Sequence, residues 1–182
     1  FRLENLEIML VTTEKEGKHE GSTYQKARRK TRSNPQVELV HYPDTSGKKA
    51  DQMNYAMEQV RVGDRRKTYF GFYDADSRPS PRTFSDFASK SEDFPAILQQ
   101  YSTYFKNYDE VGGFQKAVAL FQTRWTLRFE FFNSLFREED MMYTVGHGLF
   151  VRADVLERLQ GFPDDTLIED IAFGYRAKMM GY

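Results

Sequence analysis

Two aspartates one residue apart, Asp74 and Asp76, follow a run of mostly aromatic residues in the stretch YFGFYDADSRPSP. Carboxylates spaced this way at the end of a strand can hold a hard divalent cation, which takes its remaining ligands from water and phosphate. A cation held there would neutralise a diphosphate. Because Asp is also common in ordinary turns after strands, the pair predicts a Mg²⁺ or Mn²⁺ site with a simple turn as the alternative.

A second acidic pair, Glu169 and Asp170, stands at the start of the last predicted helix. Thr166 precedes Glu169 by three positions, which is the spacing of a capping box. Asp170 would then be a first-turn carboxylate of the kind that the helix dipole favours. From the residues alone, these structural roles are the preferred interpretation of both side chains.

His147 and Lys49 are the other side chains whose types suit a binding site. His147 lies between two glycines, and neither His19 nor His41 shows metal-ligand spacing to it, so we interpret it as a hydrogen-bonding pocket residue. Any binding role for Lys49, in KKADQMN, rests on a family resemblance of the surrounding stretches. The alternative for Lys49 is a solvated lysine in a loop.

The elements that must position these groups alternate between strand and helix. Apolar runs indicate strands, and spacing on one face indicates helices. This order predicts an α/β fold with a mainly parallel sheet. Ligands in such sheets bind beyond the carboxyl ends of the strands, where Asp74 and Asp76 fall. The predicted strands cover residues 6–13, 37–43 and 68–76, and the predicted helices cover residues 22–32 and 47–60.

The second half of the chain is predicted to be richer in helix. Ser80 and Pro81 read as the N-cap and first position of a short helix. Apolar residues recur at helical spacing from Phe114 to Phe136, and this stripe predicts a core-facing amphipathic helix, with a membrane-surface helix as the alternative. The remaining predictions are strands at 97–105 and 143–152, and helices at 81–89, 153–161 and 165–180.

Composition limits the classes of protein that fit. A chain of 182 residues suits a single domain. Its 26 basic and 27 acidic residues give a net charge of −1, which does not favour a nucleic-acid partner. It has no cysteine, no apolar run long enough for a membrane span and no signal-peptide pattern, so the segment itself is expected to be soluble. Because it begins at Phe1 and stops in a predicted helix, we interpret it as a piece of a longer protein.

Three stretches, KKADQMNYAM, YFGFYDADSRPSP and VGHGLFVRADVLERLQGFPDDTLIEDIAFGYRAKMMGY, together resemble the family 2 glycosyltransferases. The resemblance is greatest to the bacterial membrane-associated branch related to cellulose and hyaluronan synthases. It implies a GT-A fold (the Rossmann-like nucleotide-sugar transferase fold) and inverting transfer from a nucleoside-diphosphate sugar, with UDP-hexose as the expected donor. The implied acceptor is a saccharide or a lipid-linked molecule. The implied location is the cytoplasmic face of the cell membrane, reached through segments outside this chain.

The resemblance also implies roles for individual residues. Residues 1–76 would form the nucleotide-sugar-binding half of one domain, and residues 77–182 the acceptor and catalytic half. By position, Asp74 would contact the donor diphosphate and a divalent metal, Asp76 would ligate the metal, Lys49 would lie near the nucleotide, Asp170 would be the catalytic base, and Gly146, His147, Gly148 and Glu169 would line the donor and acceptor pocket.

The chain departs from the family pattern at three points, the first being that the membrane helices that flank this branch lie outside the segment. Nothing before Leu6 matches the family's P-x-x-N-E-like stretch, so the resemblance begins at the family's second strand. We therefore expect the strand at 6–13 either to pair directly with the strand at 68–76 or to self-associate through its uncovered edge. QTRW resembles the Gln-x-x-Arg-Trp motif of the synthases, but it is one residue short and precedes Asp170, so processive synthesis is not predicted.

Two alternative functions come from other classes of protein. The first is a non-catalytic nucleotide-sugar-binding or interaction module. The second is a metal-dependent phosphatase of the haloacid dehalogenase type, which also begins with a strand and Asp-x-Asp. The phosphatase pattern needs Thr or Val two places after the second aspartate, where this chain has Arg78.

Overall fold

The structure, a computed structural model, describes residues 6–90, 94–131 and 144–182. These ranges form a mixed α/β fold of helices and small sheets, which confirms the predicted fold class. The strands are β1 (Ile8–Thr13), β2 (Val37–Tyr42), β3 (Tyr69–Phe72), β4 (Ile97–Gln99) and β5 (Leu149–Arg152). The helices are α1 (Thr23–Arg32), α2 (Lys49–Glu58), α3 (Pro81–Lys90), α4 (Gly113–Trp125), α5 (Ala153–Arg158) and α6 (Glu169–Met179).

The strands form two sheets rather than one mainly parallel sheet. β1 and β2 pair in parallel, from Ile8 opposite Val37 to Thr13 opposite Tyr42. β5 lies between β3 and β4 and runs antiparallel to both, so the prediction of a mainly parallel sheet is wrong for the second half. Among the described residues no ladder joins β1 to β3, and the direct pairing expected between them is therefore not found.

Two of the predicted strands are shorter than expected. Regular pairing ends at Gln99 in β4 and begins only at Leu149 in β5. The reason is visible beside β5, where the backbone of Val145 and His147 bonds to the side chain of Gln99 instead of to another strand. Tyr143 and residues 132–136 of the predicted long helix lie outside the described residues.

The main core lies around β5. Its fully buried Leu149 and Val151 pack with Val155 of α5 and Phe173 of α6. Burial of this apolar surface supplies the driving force that holds the antiparallel sheet to the two C-terminal helices. The loop in front of β5 and the first turn of α6 are thereby held in fixed positions.

Asn54 of α2 ties the first half of the chain to this core. Its side-chain amide donates to the Phe162 carbonyl at 2.8 Å and accepts from the Phe162 backbone N–H, also at 2.8 Å. The neighbouring Gly161 has φ of 76°, and a Cβ there would lie 2.5 Å from the Asn54 oxygen. Only glycine fits, because the amide needs the space and the backbone is in the left-handed region.

Helix α4 presents its apolar stripe outward, which contradicts the core-facing prediction. Phe114 is 80% exposed and Phe121 is 64% exposed. Among the side chains of the helix and its π-helical continuation (Thr126–Phe131) whose burial the structure describes, the buried ones are Thr123 and Thr126. The Thr123 hydroxyl accepts from the Tyr104 backbone N–H at 3.0 Å, and small residues let the helix approach the body closely. None of the helices in the described ranges combines the length and apolar character needed to span a bilayer.

Candidate functional site

The candidate site gathers side chains from four separate places in the chain. Asp74 follows β3 in a turn, and Lys49 is the first residue of α2. His147 lies in the loop before β5, and Asp170 is the second residue of α6. The structure therefore brings together residues that are up to 121 positions apart, the separation of Lys49 and Asp170 in the numbered sequence.

Lys49 and Asp74 form an ion pair at the centre of this group. The Lys49 Nζ atom lies 2.6 Å from Asp74 Oδ1 and 3.2 Å from the Gly146 carbonyl oxygen, to which it donates. His147 Nδ1 lies 3.6 Å from the other Asp74 oxygen. Both partners of the ion pair are about two-fifths exposed, 41% for Lys49 and 39% for Asp74. Solvent and an anionic ligand can therefore reach the lysine.

Asp170 is oriented by backbone donors on both of its oxygens. Oδ2 accepts from the Gly146 N–H at 2.8 Å, and Oδ1 accepts from the Ile171 N–H at 2.8 Å. The hydroxyl of the fully buried Thr144 donates to the Asp170 backbone carbonyl. These bonds fix the direction of the carboxylate.

Gly146 joins the two charged parts of the site through one residue. Its carbonyl accepts from Lys49 and its N–H donates to Asp170. A Cβ at this position would lie 2.8 Å from the Lys49 nitrogen and 3.3 Å from Asp170 Oδ2. The next glycine, Gly148, has φ of 67°, and a Cβ there would lie 3.0 Å from Gln100 Cβ. Gly148 is therefore required by its left-handed backbone, whereas a side chain at Gly146 would displace the Lys49 ammonium and press on Asp170.

The capping box predicted for Glu169 is wrong. Helix α6 begins at Glu169 itself, its N-cap is Ile168, and the Thr166 hydroxyl accepts from the Ile168 N–H at 3.2 Å instead. Thr166 lies two positions before the N-cap, so its hydroxyl is too early in the chain to cap the helix. Asp170 does lie in the first turn, as the dipole interpretation requires.

Asp76 is exposed in the turn after β3, two positions beyond Asp74. Lys106, which the sequence analysis did not single out, donates to the Asp76 backbone carbonyl at 2.6 Å. Within the described ranges no group of three His, Cys, Asp or Glu side chains is close enough to hold a metal ion. Two carboxylates fit a Mg²⁺-like ion that draws most of its ligands from water and phosphate.

Gln99 and Gln100 support the site and were missed by the sequence analysis. Gln99 accepts from the Val145 N–H at 2.8 Å and donates to the His147 carbonyl at 3.0 Å. Gln100 accepts from the Tyr73 hydroxyl at 2.6 Å. Burial raises the pKa of Tyr73 to about 12, so the phenol keeps its proton and donates. The available signal was a pair of adjacent amides within the predicted strand at 97–105.

Family comparison adds an independent observation. The model described as glycosyl transferase family group 2 matches residues 70–182, which is more than half of the chain. The chain belongs to this family. A search of curated proteins returned no match. The resemblance to family 2 is thus confirmed, and the cellulose and hyaluronan synthase branch stays a prediction.

The matched region of this glycosyltransferase domain begins inside β3. It includes both aspartates of the turn, the glycine loop and the first turn of α6, whereas Lys49 lies before it. Membership of the family supports a nucleotide-sugar donor and an acceptor as the two substrates. Lys49 enters the site through its contacts with Asp74 and Gly146.

Proposed function

We propose that this glycosyltransferase domain transfers a hexose from UDP-hexose to a saccharide or lipid-linked acceptor with inversion, using Asp170 as the general base. The observation that carries the proposal is the Gly146 bridge between the Lys49–Asp74 pair and Asp170. Through the backbone of one glycine it holds a cation suited to bind a diphosphate near a carboxylate suited to accept a proton. Inverting transfer needs both groups at once.

Asp170 suits the proton-transfer step. Inversion is a single displacement, so one carboxylate must accept the acceptor hydroxyl's proton on the face opposite the leaving nucleotide. The two backbone donors leave further lone pairs on each Asp170 oxygen, because a carboxylate accepts about four hydrogen bonds. The aligned carboxylate can therefore receive the proton without first losing its supports.

The opposite side of the site suits the diphosphate. Lys49 can exchange its bond to Asp74 for a phosphate oxygen, because the pair is accessible to solvent. His147 and Lys106 stand near the same turn and would add donors. In this proposal Asp74 and Asp76 hold a divalent metal, which when bound would neutralise the charge of the leaving diphosphate as a Lewis acid.

The wider organisation is part of the same proposal. Residues 1–76 supply the nucleotide-sugar half, and residues 77–182 supply the acceptor and catalytic half, with Glu169 in the pocket wall. The parent protein would work at the cytoplasmic face of the cell membrane in polysaccharide synthesis. Among the described strands β1 pairs only with β2, and because an uncovered strand edge is a template for pairing, a second copy could add there.

The test is a screen of UDP-hexoses for acceptor-dependent release of UDP, repeated with Asp170→Asn. The variant should lose about 10²- to 10⁴-fold in turnover, the usual scale of general base catalysis, while donor binding persists. Asp165→Asn, an exposed carboxylate in the preceding turn, is the matched control. Turnover of Asp170→Asn within a few-fold of wild type would contradict the base role. UDP binding without turnover on any donor would support the non-catalytic binding module instead.

A further inference from the structure

The outward stripe of helix α4, defined by Phe114, Val118, Phe121 and Trp125, is the feature from which the inference starts. These residues stand at positions i, i+4, i+7 and i+11, which share one face of a helix. All four are exposed, and the rings of Phe121 and Trp125 lie 6.2 Å apart. A row of large apolar side chains facing solvent marks an interaction surface.

The helix cannot simply turn this stripe inward. Its opposite face is held to the body through buried Thr123, whose hydroxyl accepts from the Tyr104 N–H, and through buried Thr126. Rotation would leave that N–H without its acceptor and would bring bulky rings to a surface shaped for small residues. The outward direction is therefore a property of how the helix is seated.

The charges beside the stripe are of one sign. Between Gly112 and Arg128 the sequence has no acidic residue, and Arg124 and Arg128 are the basic residues near the stripe. Lys116 is two positions from Phe114 and lies over the Tyr108 ring, so it does not belong to this face. Both arginines line an open groove, whose walls also include the apolar Phe105, Leu120 and Leu127 and the buried Thr123 of the seated face. Apolar walls that include two guanidinium groups match the acyl chain and phosphate of an anionic lipid.

We propose that α4 lies in the surface of a bilayer that carries anionic headgroups, with its stripe among the acyl chains and its arginines at the phosphates. Aromatic residues on one face and basic residues beside it are the features of helices that lie in a membrane interface. The loop seated on Thr123 also carries Lys106, which reaches the Asp76 backbone. Docking would thus hold the loop that contacts the turn after β3 close to the membrane. This proposal does not depend on the proposed sugar transfer.

Trp125 provides a native probe because it is the only tryptophan in the chain. The 182-residue chain is mixed with vesicles of phosphatidylcholine, with and without phosphatidylglycerol, and is followed by co-sedimentation and tryptophan emission. The expected result is binding that needs phosphatidylglycerol and weakens with added salt, together with a blue shift of the emission and protection from acrylamide quenching.

Two double variants separate the apolar and ionic contributions. Phe114→Ser with Phe121→Ser and Arg124→Gln with Arg128→Gln should each weaken vesicle binding about tenfold or more. Met179→Ser, which alters an 85% exposed apolar side chain on α6, should bind as the wild type does. Circular dichroism confirms that each variant is folded.

Three outcomes would overturn the proposal. The first is the absence of binding to phosphatidylglycerol vesicles. The second is binding that leaves the Trp125 emission unchanged. The third is a dimer, detected by light scattering, that Phe114→Ser with Phe121→Ser dissociates, because the stripe would then be covered by a second copy.

Discussion

Gly146 shows how one residue without a side chain can organise two charged ones. Its carbonyl limits where the Lys49 ammonium can lie, and its N–H limits where the Asp170 carboxylate can point. Both groups lie within 3.3 Å of the position that a Cβ at Gly146 would take. A displacement of this segment would therefore alter the donor side and the acceptor side together.

Replacing Gly146 with alanine tests this arrangement. The added Cβ would meet the Lys49 nitrogen at 2.8 Å and Asp170 Oδ2 at 3.3 Å, so both groups must shift. We expect turnover to fall about 10- to 100-fold, the scale of a small misplacement of reacting groups, with weaker UDP binding. Stability should change little, because the end of a lysine can move.

Gly63→Ala is the matched control for that variant. A Cβ at Gly63 would meet no atom within 4 Å, so its kinetics should equal those of the wild type. Kinetics of Gly146→Ala that equal those of Gly63→Ala would show that the Lys49 and Asp170 positions do not matter for turnover.

For individual residues, the sequence indicated the charged side chains of the site better than the side chains that hold the surrounding backbone in place. Asp74 and Asp170 stand in motifs that can be recognised from neighbouring residues. Gln99 and Lys106 act through backbone atoms of segments that are distant in sequence, and a side chain bonding to backbone carries no sequence signature at the partner. The Lys49–Asp74 ion pair likewise depends on how α2 meets the turn after β3.

Among the elements, α4 and β5 show what the spacing of apolar residues cannot predict. Helical spacing identified which residues of α4 share a face, but it contains no information on whether that face meets the body or solvent. Thr123 decides the matter through a bond to Tyr104, which lies 19 positions earlier. For β5, the pattern of apolar residues identified a strand but contained no information on its neighbours. It could not reveal that β5 lies between β3 and β4 and is antiparallel to both.

The junction of β5 and α5 predicts how stability responds to acid. Arg152 donates to both oxygens of Asp154, at 2.7 and 3.1 Å, and these bonds hold the pKa of Asp154 below its usual value. A lowered pKa stabilises the fold above the unfolded-state pKa near 4, and the contribution is lost as the pH falls through the folded-state value.

Asp154→Asn should therefore cost about 1–2 kcal/mol in free energy of unfolding at pH 7, the scale of charge-assisted bonds in a partly exposed pair. The difference from wild type should shrink as the pH falls below about 4. Urea unfolding across pH 2–7 measures it, with the exposed Asp165→Asn as control. A constant difference over the whole range would contradict the assignment to Asp154.

For the whole molecule, the site depends on two sheets being held together. Lys49 belongs to the helix that contacts β1 and β2, whereas Gly146 and Asp170 are held by the core around β5. Two ligands that both bind across this junction should each raise the affinity for the other, because both favour the same relative position of the two sheets.

Mn²⁺ should accordingly bind weakly alone and more tightly when UDP is present, as calorimetry can measure. Lys49→Met should strengthen Mn²⁺ binding in the absence of UDP, because the ammonium no longer competes for Asp74 Oδ1, and it should weaken UDP binding. Asp76→Ala should weaken Mn²⁺ binding, while Asp86→Ala, an exposed carboxylate on α3, should not. Equal Mn²⁺ affinity with and without UDP would contradict the proposal that Asp74 and Asp76 hold a metal together with the diphosphate.

The bond between Asn54 and Phe162 has a consequence for the newborn chain. The two residues are 108 positions apart, and contacts between distant residues form slowly because a long loop must close first. At ribosomal rates of about 5–20 residues per second, Phe162 is added roughly 5–20 s after Asn54. During that interval Met53 and Met57 of α2 lack the core against which they pack. The nascent first half of the chain is therefore a natural client for chaperones until the second half arrives.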